Sequence, residues 1–309
     1  MKVEVQVPAT IANLGPGFDA LGLAVRLYNS LTVEIGEEFS VEIRGEGEDD
    51  LPRDRTHLAY RAIEAVMKAH GVRVPPIRLC QQNAIPIKRG LGSSASAIVA
   101  GLLAGTALAG GRLSKEDLID LAWRMEGHPD NVTASMLGGL VVSAVEDDRV
   151  RWVKVPVDPS LRVILAIPAL EVATEEARRV LPESVPFRDA VFNVGRTAML
   201  LAALSAGRMD LLWTATADRL HQVYRLPLVP WLFDVIHAAR EAGAFGAVLS
   251  GSGPTVAAFA EDRRVGLAMK EAFEARGIHC RVVETEPDFH GARVNVWQGE
   301  RPEGGERWA

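Results

Sequence analysis

Pro86-Ile87-Lys88-Arg89-Gly90-Leu91-Gly92-Ser93-Ser94-Ala95-Ser96-Ala97 runs glycines, paired serines and small residues together in one short stretch. Glycines let backbone N–H groups turn toward an anion at close range. The Ala-, Gly- and Ser-rich run that follows, to about Leu108, predicts a helix. Its first free amides and positive dipole end point into the same space. Serine hydroxyls there reach a phosphate oxygen or a magnesium ion. The segment is not a Walker A loop, because GxxxxGK[ST] is absent, and it lacks the third glycine of a dinucleotide fingerprint. A glycine turn feeding a tightly packed helix is the plain alternative, but the full string is far more specific than a bare Gly-x-Gly.

Upstream, Val3, Val5 and Val7 alternate with polar residues, as do Leu31, Val33 and Ile35, then Val41 and Ile43. This period predicts half-buried strands of an antiparallel sheet. The intervening Pro8-Ala9-Thr10-Ile11-Ala12-Asn13-Leu14-Gly15-Pro16-Gly17-Phe18-Asp19 reads as a loop whose polar groups would be hard to place in a core. A helix is expected over Thr56–His70 and a strand at Ile77–Cys80. Downstream, Ser114-Lys115-Glu116-Asp117 resembles a capping box opening a helix to about Gly127, and Gly138–Ala144 reads as a returning strand.

Near residue 155 the texture changes, giving two units, 1–155 and 156–309. The second is read as a buried strand at Arg162–Ile167, helices at Thr174–Leu181, Arg188–Ala206 and Trp231–Ala242, and strands at Gly246–Ser250 and Thr255–Phe259. A helix at 264–276, a strand at Cys280–Val283 and a loose polar tail after Asn295 complete it. Periodicity supports two α+β units with mostly antiparallel sheets.

At 309 residues, 48% hydrophobic and 24% charged, the chain is long enough for two domains sharing an interface. A net charge of −6, with no basic run interleaved with aromatics, gives no reason to expect nucleic acid. Cys80 and Cys280 cannot form a disulfide framework, so a reducing cytoplasm is expected. Met1 runs into a strand pattern and not an apolar leader. Gly90–Gly111 is too interrupted for a membrane span.

Glu126-Gly127-His128-Pro129-Asp130-Asn131 is the second chemical element. Glu126 lies four residues after Ala122 and seven after Ile119, so it points toward an apolar side. A carboxylate there needs compensation, by a metal ion or by an arginine. Thr174-Glu175-Glu176-Ala177-Arg178-Arg179-Val180-Leu181-Pro182 opens with a potential N-cap, and Arg178 shares the face of Thr174. Arg225 closes Asp218-Arg219-Leu220-His221-Gln222-Val223-Tyr224-Arg225. Guanidinium groups grip carboxylates in a bidentate way that lysine cannot copy, although a solvated helix face is the ordinary fate of a lone arginine.

The stretch from Pro86 to Ala97 resembles the ATP-binding motif of the GHMP kinases, the family of galactokinase, homoserine kinase, mevalonate kinase and phosphomevalonate kinase. Residues 8–19 resemble the family's amino-terminal motif in its homoserine kinase form, and Ser250-Gly251-Ser252-Gly253-Pro254-Thr255 resembles its carboxy-terminal glycine loop. Three motifs in order cover most of the chain. The resemblance implies a ribosomal protein S5 domain 2-like first domain, a ferredoxin-like second domain, and ATP-dependent phosphorylation of a small alcohol. Homoserine, on the way to threonine, is the expected acceptor. Mevalonate or a diphosphocytidyl sugar alcohol is the alternative, and so is a catalytically silent binding protein of the same fold.

By the same resemblance Pro86, Ile87, Lys88, Arg89, Gly90, Leu91, Gly92, Ser93, Ser94, Ala95 and Ser96 hold ATP, and Ser94 and Glu126 hold Mg2+. Asn13, Asp19, His128, Thr174, Arg178, Arg225, Gly251, Ser252 and Gly253 are expected around the substrate. Asp130, Asn131 and Arg178 are expected in catalysis, with Asp130 the nearest candidate base and no base assigned firmly. Asp19 suits a substrate ammonium, and Arg178 and Arg225 its carboxylate. A homodimer without nucleic-acid or membrane partners is also implied.

Overall fold

In the computed structural model, which describes residues 1–111, 113–297, 302 and 303, the amino-terminal valines open a long strand that serves two cores in turn. Strand β1 (Lys2–Ala12) pairs antiparallel with β2 (Leu21–Ile35), setting Val3 opposite Val33 and Val5 opposite Leu31. The register shifts between Pro8 and Ala9, where the partner on β2 passes from Tyr28 to Val25. Val3, Val5 and Val7 pack into the core of the first unit, whereas Ala9 and Ile11 pack into a core that also takes Leu165, Leu200, Val248 and Phe259 from the second. The two units therefore share buried apolar surface, the main driving force for holding them together.

The first sheet continues through β3 (Ser40–Gly45), β4 (Ile77–Asn83), β5 (Leu140–Glu146) and β6 (Arg149–Val155). All its pairings are antiparallel except β3 with β4. Four helices join it: α1 (Leu58–Ala69), α2 (Ser93–Leu108), α3 (Lys115–Glu126) and α4 (Pro129–Leu137). The small residues of α2 have a packing reason, because the helix is buried from Ala95 to Thr106. A Cβ at Gly101 would stand 2.3 Å from the Ala59 carbonyl oxygen of α1. Ser114 caps α3, its hydroxyl accepting the Asp117 N–H at 3.1 Å, as the capping-box pattern predicts.

The second sheet has the order β10-β7-β9-β8 and is wholly antiparallel. Its strands are β7 (Val163–Pro168), β8 (Gly246–Leu249), β9 (Val256–Phe259) and β10 (Cys280–Thr285). The connections carry α5 (Thr174–Arg179), α6 (Phe187–Ser205), the short α7 (Leu212–Ala215), α8 (Leu232–Glu241) and α9 (Arg264–Glu274). The strand order matches the expected ferredoxin-like arrangement, and no helix among the described residues is long and apolar enough to cross a membrane.

Three sequence expectations change. Residues 8–12 belong to β1 and not to a loop, and their polar member Thr10 is fully buried with a partner, so the loop begins at Asn13. Strand β6, unassigned in the sequence, forms a hairpin with β5. The tail after Asn295 does not begin loose. Strand β11 (Arg293–Trp297) pairs with the outer edge of β1, and β12 (Pro302–Glu303) pairs with β11. The stretch assigned as 156–309 therefore returns to the first sheet, because the edge of β1 needs a hydrogen-bonding partner. The rest of that tail lies outside the described residues.

Candidate active site

One cleft gathers groups from both units: the glycine segment and the start of α2, the turn between α3 and α4, the loop after β1, the start of α5, Arg225, and the turn between β8 and β9. At its phosphate end Gly92 caps α2 in the left-handed region, φ 73°. The first N–H groups of α2 have no intrahelical acceptor and point along the helix dipole into the cleft. A Cβ on Gly92 would stand 2.1 Å from Thr10 Oγ1, whose hydroxyl donates to Asn131 Oδ1 at 2.6 Å. A Cβ on Gly90 would stand 2.1 Å from the Ser250 carbonyl oxygen. Ser250 Oγ in turn donates to the Gly90 carbonyl at 2.6 Å, so the glycine turns of the two units lie against each other.

Ser94 donates to Glu126 Oε2 at 2.7 Å. Burial raises the Glu126 carboxyl above its usual range, and the Ser94 hydrogen bond opposes that shift. No arginine is paired with Glu126 among the described residues, so the salt-bridge explanation of this carboxylate does not apply. A half-buried carboxylate with a hydroxyl beside it, at the helix end where phosphates would lie, is a donor set that suits a hard divalent cation.

His128 and Asp130 flank this pair. His128 Nδ1 lies 3.6 Å from Asp130 Oδ1, too far for a hydrogen bond, and it is buried without another partner. Burial works against charge on this imidazole, but the neighbouring Asp130 carboxylate outweighs it and raises its pKa above the ordinary value. Asp130 itself accepts the Asn131 N–H at 2.7 Å and its side-chain amide at 3.2 Å.

The acceptor end is built on left-handed backbone. Asn13, Gly15 and Asp19 have φ of 69°, 85° and 55°. The Asn13 side chain accepts the Asp19 N–H at 3.0 Å and donates to the Gly251 carbonyl at 3.2 Å, fixing the turn. Asp19 then receives Arg178 of α5 through two hydrogen bonds, 2.6 and 3.0 Å. Thr174 does not cap α5, since Ala173 holds that position; it lines the cleft beside Arg178.

Arg225 is 2% exposed and held on three sides, donating from Nε to the Ala177 carbonyl and from Nη1 to the Gly251 carbonyl and to His221 Nδ1. Burial and the neighbouring Arg178 lower its pKa to about 10, which leaves it charged at neutral pH. His221 Nε2 lies 2.7 Å from the Gly15 carbonyl oxygen. An arginine only donates and a carbonyl only accepts, so the network assigns His221 as neutral with its proton on Nε2. Its lowered pKa, caused first by burial, agrees. Asp218 holds the turn by accepting Asn193 Nδ2 and the backbone N–H groups of Leu220, His221 and Gln222.

Of the sequence-predicted residues, Pro86, Lys88 to Ser94, Glu126, His128, Asp130, Asn131, Asn13, Asp19, Thr174, Arg178, Arg225, Gly251 and Ser252 line one cleft. Ile87, Ala95, Ser96 and Gly253 do not. Ser96 is fully buried, its hydroxyl donating to the Ser93 carbonyl and accepting from Asn29. Sequence reasoning missed four residues that shape the site. Phe18 lies under both arginines at 5.5 and 5.6 Å and stacks on His221. Glu171 pairs with Lys88 and Arg89, and its carboxyl is held below the usual range by the Lys88 hydrogen bond. His221 and Asp218 were in view inside a quoted motif, but only Arg225 was singled out.

Residues 57–139 match the family model for the GHMP kinases N terminal domain, and residues 200–279 that for the GHMP kinases C terminal domain. The homoserine kinase of Moorella thermoacetica is 47% identical over 94% of this chain and 99% of its own. That of Carboxydothermus hydrogenoformans is 43% identical over 94% and 96%. The solved homoserine kinase of Cytophaga hutchinsonii superimposes with a TM-score of 0.86 at 30% identity, covering 95% of this chain and 97% of that one. With identities this high over nearly the whole length, and the motif residues meeting in one cleft, the chain belongs to the homoserine kinase family within the GHMP kinases.

Proposed function

We propose that this protein transfers the γ-phosphate of ATP to the hydroxyl of L-homoserine, giving O-phospho-L-homoserine and ADP. The observation that carries the reading is the polarity of the cleft. One end offers the free amides of α2 beside Ser94 and Glu126, and the other offers one carboxylate and two guanidinium groups. That second set complements a zwitterionic amino acid, with Asp19 for its ammonium and Arg178 and Arg225 for its carboxylate.

Phosphoryl transfer asks chiefly for positioning and charge neutralisation. The start of α2 orients the triphosphate, and Glu126 with Ser94 would hold Mg2+. The metal supplies neutralisation of the charge that develops on the phosphates. Asp19, Arg178 and Arg225 orient the amino acid so that its hydroxyl oxygen bonds to the γ-phosphorus as the bond to the β–γ bridging oxygen breaks. That bridging oxygen leaves with the electron pair on ADP. The hydroxyl proton passes to Asp130 or to a γ-phosphate oxygen, alternatives that a single substitution separates. Thr10, Asn131 and Ser250 brace the glycine turns through the Thr10–Asn131 and Ser250–Gly90 hydrogen bonds, and Asn131 also faces the cleft beside Asp130.

We place the boundary of the ATP-binding unit at residue 155, with 293–303 rejoining its sheet, and take the active species to be a cytoplasmic homodimer. An ADP-release assay with Mg-ATP against homoserine, mevalonate, galactose, shikimate and a no-acceptor blank tests the activity. Turnover with homoserine alone supports the reading. Turnover with another acceptor discards the roles given to Arg178 and Arg225.

A further inference from the structure

A guanidinium group has five N–H donors, and the fold uses three of those on Arg225. Nε donates to the Ala177 carbonyl of α5 at 3.2 Å, and Nη1 donates to the Gly251 carbonyl at 2.7 Å and to His221 Nδ1 at 3.0 Å. The two N–H groups of Nη2 have no protein partner among the described residues, and Arg225 lines the cleft. Nη2 is therefore the open edge of this arginine, and its direction is set by whatever holds the other two nitrogens. Two of the three holders are backbone carbonyls. The third is a ring nitrogen, which accepts a hydrogen bond only while it carries no proton.

We infer that His221 is a positioning residue for the substrate: neutral, with its proton on Nε2, it holds Arg225 so that Nη2 meets the acceptor's carboxylate. The surroundings fix that state of the ring. Nε2 lies 2.7 Å from the Gly15 carbonyl oxygen, which demands a proton there. Gly15 has φ 85°, and a Cβ on it would stand 2.2 Å from the Thr216 carbonyl oxygen, so the loop has little room to turn that carbonyl away. Asp218 lies beside the ring, but its two oxygens already accept from Asn193 Nδ2 and from the backbone N–H groups of Leu220, His221 and Gln222. It stands 3.6 Å from Nε2, too far for a hydrogen bond. Phe18 stacks on the imidazole with ring centroids 5.2 Å apart, and His221 is fully buried. Burial, with Arg225 beside it, outweighs the pull of Asp218 and Asp19 and holds the imidazole below its ordinary pKa.

An aspartate beside a histidine also occurs in proton relays. Here neither Asp218 nor His221 lines the cleft, so the ring acts through Arg225 and not on the reacting atoms. Without a bare Nδ1, one Nη1–H of Arg225 would be an unpaired donor in a buried place, which is costly. The guanidinium would then tilt toward another acceptor, and Nη2 would leave the direction from which a carboxylate is met. Phe18 lies under Arg178 as well as Arg225, at 5.5 and 5.6 Å, so the same ring stack carries both arginines of the acceptor end. This role rests on Arg225 taking the substrate carboxylate, as proposed above.

Two substitutions separate holding from packing. His221→Asn places an amide oxygen where Nδ1 stands but loses the ring, whereas His221→Phe keeps a ring on Phe18 but loses the acceptor. His221→Phe is expected to raise the homoserine KM about 10-fold or more, the loss of one hydrogen bond to a charged group, with the ATP KM unchanged and kcat altered less than KM. His221→Asn should recover most of that loss. The reverse order, or a parallel rise of both KM values in both variants, would make His221 a packing residue and overturn the proposal. The ring is also read directly in the parent, whether or not the variants fold. A long-range 1H–15N NMR spectrum at pH 7, with His221 assigned by triple resonance, should show a proton on Nε2 and a bare Nδ1; a protonated Nδ1 overturns the proposal. That spectrum needs no substrate, and absence of homoserine turnover in the ADP-release assay sinks the chemical reading, so the two fail separately.

Discussion

Asp19 and Arg178, 159 residues apart in sequence, hold each other through paired hydrogen bonds of 2.6 and 3.0 Å across the meeting of the two units. Each carries the charge that the other's substrate group would carry. In the proposed complex an amino acid's ammonium would replace the guanidinium on Asp19, and its carboxylate would replace Asp19 on Arg178. Arg178→Ala is expected to raise the homoserine KM about 10–100-fold, the loss of one or two charge-assisted hydrogen bonds at roughly 1.5–3 kcal/mol. The KM for ATP should be unchanged, and Arg178→Lys should recover little. Steady-state kinetics with each substrate varied in turn measures this, and an equal rise in both KM values would count against it.

Glu126→Gln removes the charge on which the proposed cation site at Glu126 and Ser94 depends. Turnover should fall by at least about 10²-fold, the order seen when a group stabilising transition-state charge is lost. Half-saturation by magnesium should move to higher concentration, and ATP should still bind through the amides of α2. A magnesium titration at fixed ATP that superimposes on that of the parent would remove Glu126 from the metal site.

Asp130→Asn decides where the hydroxyl proton goes. If the carboxylate accepts it, turnover drops about 10²–10⁴-fold with modest changes in KM. Near-normal turnover assigns the proton to the phosphate and leaves Asp130 with the role of raising the His128 pKa.

His221 links stability to acid. It is buried and neutral in the fold, between Arg225, Asp218 and the Gly15 carbonyl, with a pKa below its ordinary value. The unfolded chain binds a proton below about pH 6.5 that the folded chain does not, so this contribution is complete above that pH and is lost as pH falls. The slope from one such group is about 1.4 kcal/mol per pH unit. Urea unfolding of His221→Gln should be shallower in its pH dependence between about 6.5 and 5 by roughly that amount. Identical profiles would show that His221 is not the acid-sensitive group.

Gly90→Ala should cost about 1–3 kcal/mol of stability and weaken ATP binding, because φ 72° suits glycine and the new Cβ would meet the Ser250 carbonyl at 2.1 Å. A variant as stable as the parent in urea would mean that the two glycine turns do not abut.

Much of this site was legible because its chemistry is local. The glycine segment, Glu126 and the Gly-His-Pro-Asp-Asn turn are contiguous strings whose residue types suit phosphate and metal, and they meet in one cleft. The Asp19–Arg178 pair was not legible as a pair, because each residue was assigned to substrate and nothing in the spacing reports a contact across 159 residues. Phe18 and Glu171 were missed for the related reason that an aromatic or an acid in a loop acquires meaning only from the cations that pack on it. In the fold, strand β6 escaped notice because it is an edge hairpin strand, mostly exposed, with only Val150 buried. Strand β11 carried its alternation in Arg293-Val294-Asn295-Val296-Trp297, but its partner lies at the other end of the chain.

The return of β11 to β1 bears on the order in which the molecule comes into being. A chain still under synthesis, complete only to residue 285, has both sheets in outline but lacks the strand that pairs with the outer edge of β1. It also lacks Asp288, whose carbonyl and N–H tie Gly139 and Ala24 together. The second unit is in effect an insertion into the first, and the first is closed only after the second has emerged. A release series of truncated nascent chains should therefore show ATP affinity and protease resistance appearing together, late, as residues 286–297 become free to fold back.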